Sequence, residues 1–331
     1  MTKAFSLHVG INEVSRTRFP DTTGVPTLRS CENDALAMHN LAAGFTRRVT
    51  LLGSSATFEH VDKEIRDAAA QLGKDDIFLF TFSGHGTRQA DNEPNEEKDH
   101  FDETIVLFDI ILLDDYLRRV LWSQFAEGVR IFGVSDSCHS GTALLGRNAV
   151  GVPSLPFADS GPVFTARVGV APVAVRPDPG GALGRGRRPG RRPAADPGGM
   201  HADPLQPPRA GQLVKREISS KARDAHLEAF EEDYKKIRQE IPAPDSEAAR
   251  LKADLMTLAA CHDTEETLDG EEFGVFTRAL LDVLTDKAPA DYDSLVDGIN
   301  QVFVKDSRPQ KSALNPKPPG PAFRAQRPFS I

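Results

Sequence analysis

Apolar residues fall in short blocks along the chain, and the spacing within each block predicts an element. Residues 4–9 alternate β-forming side chains as a first strand, and VTLLG at 49–53 makes a second. Between them CENDALAMHNLAAGF sets Ala35, Met38 and Leu41 at helical spacing, with Gly44 as a stop. Thr57 is placed to cap a second helix whose Phe58, Val61, Ile65 and Leu72 form one apolar stripe. A continuous apolar run from Ile77 to Phe82 follows. The order β, α, β, α, β implies a parallel sheet covered by helices on both faces.

Beyond this run the chain turns polar and acidic, then returns to a strand-like TIVLF and a helix from about Asp114 to Phe125. IFGV at 131–134 is the next strand. Residues 148–212 are rich in Pro, Gly, Ala and Arg with no apolar period, so they read as a disordered linker or insertion. Order resumes near Leu213. Leu227, Phe230, Tyr234, Ile237 and Ile241 share one helical face, DLMTLAAC gives a strand ending at Cys261, and GVFTRALLDVL a helix. DSLVDGINQVF is a last helix, capped by Asp293. Residues 1–147 make a self-contained α/β unit, and a second ordered stretch, 213–331, follows the linker.

Composition narrows the class. Charged residues make up 27% of the 331 positions and the net charge is −8, which gives no general nucleic-acid-binding character. No apolar run is long enough to span a bilayer, and Met1, Thr2 and Lys3 lead straight into the first strand without a secretory leader. Cys31, Cys138 and Cys261 are widely spaced and odd in number, poor material for disulfides and suited to a reducing cytoplasm.

Two of the strands end in reactive residues. Ile77–Phe82 runs into Ser83, Gly84, His85 and Gly86, and 131–134 runs into Asp136, Ser137, Cys138, His139, Ser140 and Gly141. In open α/β sheets reacting groups collect at the carboxyl ends of strands. Cys138 is the candidate nucleophile and His85 its acid and base, since attack on a carbonyl needs a thiolate and the leaving amine needs a proton. The N–H groups of Gly86 and Cys138 are candidates for an oxyanion hole, glycine allowing close approach of backbone to substrate. His139, adjacent to the nucleophile, points to the other side and is read as structural. Cys138-His139 and Cys261-His262 lack the spacing of known zinc sites, so metal ligation by cysteine is not expected.

SGHG followed by DSCHSG resembles a metacaspase or one of its bacterial caspase-like relatives, within the caspase and hemoglobinase-type clan of cysteine peptidases. The separation of about fifty residues between His85 and Cys138 fits that resemblance. The likeness covers residues 3–147 and 213–331. It implies the caspase-hemoglobinase α/β fold, with about six mostly parallel strands, and a Cys–His dyad. It also implies cleavage after Arg or Lys, since Cys31, Asp34, Ser83 and Asp136 match the family's substrate-binding positions, with Asp34 and Asp136 as an anionic socket. Calcium is a commonly required ion in the family; Asp102, Asp114 and Asp115 match its ligand positions, while a further one falls near Leu145, which is no acid. No cofactor is needed for the chemistry. Protein or peptide substrates, a monomer and self-processing at Arg185, Arg187 or Arg191 are the remaining expectations. The alternative is a catalytically silent caspase-like module that binds partners.

Overall fold

A computed structural model of the chain describes residues 2–90, 101–138, 144, 213–261, 267–305, 313–316 and 321–331. The chain divides into a compact unit, 1–150 with 203–331, and a second unit, 151–202, which lies outside the described residues together with Arg185, Arg187 and Arg191.

The compact unit is built on a six-stranded sheet. Its strands are β1 (Ala4–Gly10), β2 (Arg47–Leu52), β3 (Ile77–Ser83), β7 (Arg130–Asp136), β9 (Asp254–Ala259) and β11 (Ala313–Pro316), in the spatial order β11-β9-β7-β3-β1-β2. Five run parallel and β11 joins the edge antiparallel to β9. The intervening labels belong to shorter pieces: β4 (Gly86–Ala90), β5 (Phe101–Val106) and β6 (Ile111–Leu112) form a second sheet, and β8 (Val214–Lys215) pairs with β10 (Leu268–Asp269). Residues from both sides of the linker thus share the central sheet.

Side chains alternate between two covered faces, which is why these runs are mostly apolar. Phe78, Phe80 and Phe82 face one core with Val61 and Ile65 of α2 (Phe58–Gln71), while Ile77 and Leu79 face another with Met38 of α1 (Cys31–Leu41). The first core also takes Ala222 of α3 (Ser220–Ala229) and Tyr234 and Ile237 of α4 (Glu231–Glu240). The second takes Phe276, Leu280 and Val283 of α5 (Val275–Asp286) and Leu295, Ile299 and Phe303 of α6 (Tyr292–Lys305). Each fully buried Phe or Leu in these cores contributes about 1.5–3 kcal/mol.

Several local expectations are corrected. The helix expected over Leu227–Ile241 breaks at Phe230, whose φ of −121° and ψ of 28° leave the helical region between α3 and α4. Its ring is covered by the Arg18 guanidinium at 3.6 Å, and the Tyr234 hydroxyl donates to the Ile111 carbonyl at 3.1 Å, so tertiary partners set the turn. The helix expected from Asp114 to Phe125 is a π-helical turn at Tyr116–Leu121 followed by a 3₁₀ turn at Trp122–Gln124, with Trp122 Nε1 tied to the Leu144 carbonyl. Asp291, not Asp293, caps α6 by accepting the Ser294 N–H at 2.8 Å; Asp293 pairs with Arg324 instead. The strand expected to reach Cys261 ends at Ala259, and α1 ends at Leu41, before Gly44.

Candidate active site

Strands β3 and β7 are neighbours, and their register sets Ser83 opposite Asp136. Both strands therefore stop side by side, and the turns that follow put His85 and Cys138 at one end of the sheet. Both are buried. His85 Nε2 donates to the Pro26 carbonyl at 2.7 Å, which leaves Nδ1 as the unprotonated nitrogen, and Nδ1 is buried with no hydrogen-bond partner among the described residues. Burial lowers the imidazole from 6.5 to about 4, against the Pro26 bond. The Cys138 thiol donates to the Thr267 carbonyl at 3.4 Å, and burial, then nearby Cys261, pushes it well up. The two groups rest as thiol and neutral imidazole.

The chain itself fills this end of the sheet. β8 runs antiparallel to β10, pairing Lys215 with Leu268, and the next residue, Arg216, donates its N–H to the Thr267 carbonyl at 3.2 Å. The Arg216 carbonyl then accepts from two backbone N–H groups, Gly86 at 2.9 Å and Cys138 at 3.3 Å. A Cβ on Gly86 would lie 2.0 Å from the Cys138 carbonyl oxygen, so only glycine lets the two turns approach this closely. On the far side, the Ile218 N–H reaches the Gly86 carbonyl at 3.3 Å and the Ile218 side chain is buried in the core.

The Arg216 guanidinium is fully buried in a socket of oxygens. Nη1 donates to Ser83 Oγ at 2.8 Å and to the Asp136 carbonyl at 2.9 Å, and lies 2.9 Å from Asp136 Oδ1. Nη2 donates to Ser30 Oγ and Asp34 Oδ2, each at 2.7 Å, and to Asp269 Oδ1 at 3.1 Å. Burial works against the charge, but the carboxylates of Asp136, Asp34 and Asp269 outweigh it and hold the guanidinium protonated. The carboxylates are themselves held in place. Asp34 Oδ1 accepts the Gly274 N–H at 2.9 Å, Asp136 Oδ2 accepts the N–H and hydroxyl of Thr277 at 3.1 and 2.7 Å, and Asp269 Oδ2 accepts the Arg29 N–H at 2.8 Å. Burial raises Asp34 to about 6; Arg216 opposes this and Asp136 adds to it.

Of the residues singled out by sequence, His85, Gly86, Cys138, Asp34, Ser83 and Asp136 meet around Arg216. Cys31 is buried at the first turn of α1 beside them, its thiol pushed up by burial with the Arg216 charge opposing. Of the acidic trio, two side chains are described. Asp114 is buried and accepts the Asp115 N–H at 2.8 Å, Asp115 pairs with Arg119 at 3.0 Å, and Asp102 lies in β5 with its side chain outside the described residues. Among the described residues no three His, Cys, Asp or Glu side chains gather to hold a metal. His139, Leu145 and His262 lie outside the described residues. Sequence reasoning missed Arg216, Ser30, Asp269, Gly274 and Thr277. A lone Asp before a glycine and a lone Arg at the restart of order carry no spacing that would single them out.

Comparison with known proteins gives this geometry a setting. The caspase-domain family model matches residues 9–324. Metacaspase-7 of Arabidopsis thaliana is 35% identical over 146 residues, 41% of this chain and 34% of that one. Metacaspase-1 of Yarrowia lipolytica is 26% identical over 256 residues, covering 73% and 46% of the two chains. The match thus spans about a third to a half of these relatives' length. The crystal structure of protein GSU0716 from Geobacter sulfurreducens superposes with a TM-score of 0.66 at 27% identity, covering 99% of both chains.

Proposed function

Because the chain belongs to the caspase-domain family, we propose that it is a cysteine endopeptidase that cleaves after Arg or Lys with His85 and Cys138. The observation that carries this reading is Arg216, whose guanidinium lies among Asp34, Asp136 and Asp269 while its carbonyl rests on the N–H groups of Gly86 and Cys138. That is how a peptide's P1 residue must lie for a thiol to attack it: side chain read at one end, carbonyl polarised at the other.

In this reading Cys138 Sγ bonds to the P1 carbonyl carbon as the thiol proton passes to His85 Nδ1. The resulting oxyanion stays on the Gly86 and Cys138 N–H groups. Collapse breaks the C–N bond, and His85 returns the proton to the leaving amine. Water then hydrolyses the thioester, its proton restoring the thiol through His85. With the thiol raised and the imidazole lowered, proton transfer accompanies attack rather than preceding it.

The test is hydrolysis of fluorogenic peptides ending in Arg, Lys or Asp. Turnover with Arg and not Asp supports the acidic socket; turnover with Asp alone overturns it. No turnover by folded protein favours the silent partner-binding module.

Self-processing belongs to the same proposal. Arg185, Arg187 and Arg191 lie outside the described residues, whereas the Arg216 carbonyl on the Gly86 and Cys138 N–H groups supports Arg216–Glu217 as the bond cut. Fragments 1–216 and 217–331 by mass spectrometry would support cleavage there, and termini at 185, 187 or 191 would move it into the linker. Asp102, Asp114 and Asp115 would bind calcium through their carboxylate oxygens. Asp115 would have to give up Arg119 to join it. A thermal shift with calcium, absent in Asp114→Asn, would support the site; no shift removes it.

A further inference from the structure

We propose that the socket selects arginine with both terminal nitrogens unmodified, over lysine and over ω-methylated arginine, and that Asp269 sets the choice, which presupposes the endopeptidase reading. The acceptors around Arg216 form two separate groups. Ser83 Oγ, the Asp136 carbonyl and Asp136 Oδ1 surround Nη1; Ser30 Oγ, Asp34 Oδ2 and Asp269 Oδ1 surround Nη2. Among the described residues Nε is buried without a hydrogen-bond partner, so recognition falls on the two terminal nitrogens. Ser30 ties the second group together, since its hydroxyl accepts from Nη2 and donates to Asp269 Oδ1, while its own N–H donates to the same oxygen at 3.2 Å.

A lysine fits one group at best. Its ammonium sits where the guanidinium carbon lies, one bond short of both terminal positions, and one nitrogen cannot serve two sets of acceptors. The set left over would include a buried carboxylate without its cation, the costly arrangement in a site closed to water. A methyl on Nη2 fails for want of space as well as of a donor. An ideal Cβ on Gly274 would already stand 2.4 Å from Nη2, so backbone walls the position. Asp269 enters because it comes from β10, the strand on which the occupant is laid, and its carboxylate joins that of Asp34 as the second on the Nη2 side. Lysine reaching only the Nη1 group would leave Asp34 and Asp269 facing each other unpaired.

Two measurements on the full chain test this. Fluorogenic peptides Leu-Val-Lys-X, copying residues 213–215, are assayed with X as Arg, Lys or ω-monomethylarginine. Arg should exceed both by at least about a hundredfold in kcat/KM. Asp269→Asn should lower Arg hydrolysis by about tenfold or more and Lys hydrolysis much less, narrowing the ratio. A purely structural role would lower both alike. Lysine within a few-fold of arginine, or an unchanged ratio in Asp269→Asn, overturns the assignment. The second measurement needs no turnover: in Cys138→Ala protein, Arg216→Lys should melt at least about 3 °C below the parent and close to Arg216→Ala. A lysine variant as stable as the parent overturns the selection. Failure to cut any peptide removes the endopeptidase reading alone, and the melting order then decides the socket.

Discussion

The two ends of Arg216 meet opposite environments. At the guanidinium, three carboxylates and two hydroxyls surround one cation, and the carboxylates are braced by Gly274, Thr277 and Arg29. At the carbonyl, about one side chain's length away, the reacting groups carry no charge: burial raises the Cys138 thiol and lowers His85 to about 4, and His85 Nδ1 has no described partner. The contrast separates recognition from chemistry. In the proposed reading charge sits where a substrate's side chain would be read, on carboxylates held by Gly274, Thr277 and Arg29. The pair that would break the bond is held neutral, so its reactivity depends on a carbonyl arriving on the Gly86 and Cys138 N–H groups.

The largest effect falls on the neutral end. Cys138→Ala should reduce kcat on Arg peptides on the order of 10⁴-fold or more, and His85→Gln by about 10²- to 10⁴-fold, with KM little changed in either. If either variant instead raised KM and kept kcat, the two ends would not be separable in this way. At the charged end the sharper probe is Gly274→Ala. Its methyl would lie 2.4 Å from Nη2 and 2.6 Å from Asp136 Oδ2, so the added carbon competes with the guanidinium for space. Overpacking of this kind costs about 1–3 kcal/mol, and hydrolysis of Arg peptides should fall by about 10- to 100-fold, through KM. Comparable activity in Gly274→Ala would show that the socket yields more readily than its bracing implies.

How much of this was legible in the sequence differs between the two ends. The strand runs before His85 and Cys138 are mostly apolar because both faces of β3 and β7 are covered, and the polar turn after each marks a sheet end. Periodicity therefore places each of these residues at the end of a strand, and the pairing of β3 with β7 makes them neighbours. Asp34, Ser83 and Asp136 were reached through the family motif, and the structure brings them around one cation. The rest of the socket was hidden. Asp269 and Gly274 lie more than 130 residues from Cys138 in sequence, and only the pairing of β9 with β7, with β10 following, carries them to the site. Arg216 was a lone arginine where order resumes, since its meaning depends on the short ladder between β8 and β10. The same limit explains the broken helix at Phe230, where Arg18 and Ile111 decide the geometry from a distance.

The smallest expected effect sharpens the comparison through pH. Asp34 is raised to about 6 by burial, with Arg216 opposing and Asp136 adding, whereas His85 is lowered to about 4. The signs are opposite. As pH falls, Asp34 takes up its proton first and loses the charge that holds a guanidinium; the imidazole stays an unprotonated base until acidity reaches its lower value. An empty socket lacks the Arg216 cation, so its carboxyl titrates no lower than this. KM for an Arg peptide should therefore rise by up to about tenfold per pH unit below about 6, while kcat holds to about pH 5. Folding must be followed in parallel, because His8 at about 3 and His85 and His226 at about 4 are all depressed below 6.5. Their contribution to stability is complete above the unfolded value and is lost as pH falls toward the folded ones, so the melting temperature should decline over that window. Asp34→Asn should raise KM at neutral pH and flatten its acid limb. A profile in which kcat falls near 6.5 with KM flat would mean that water reaches His85 during turnover, and the neutral end would then be neutral only while the cleft is closed.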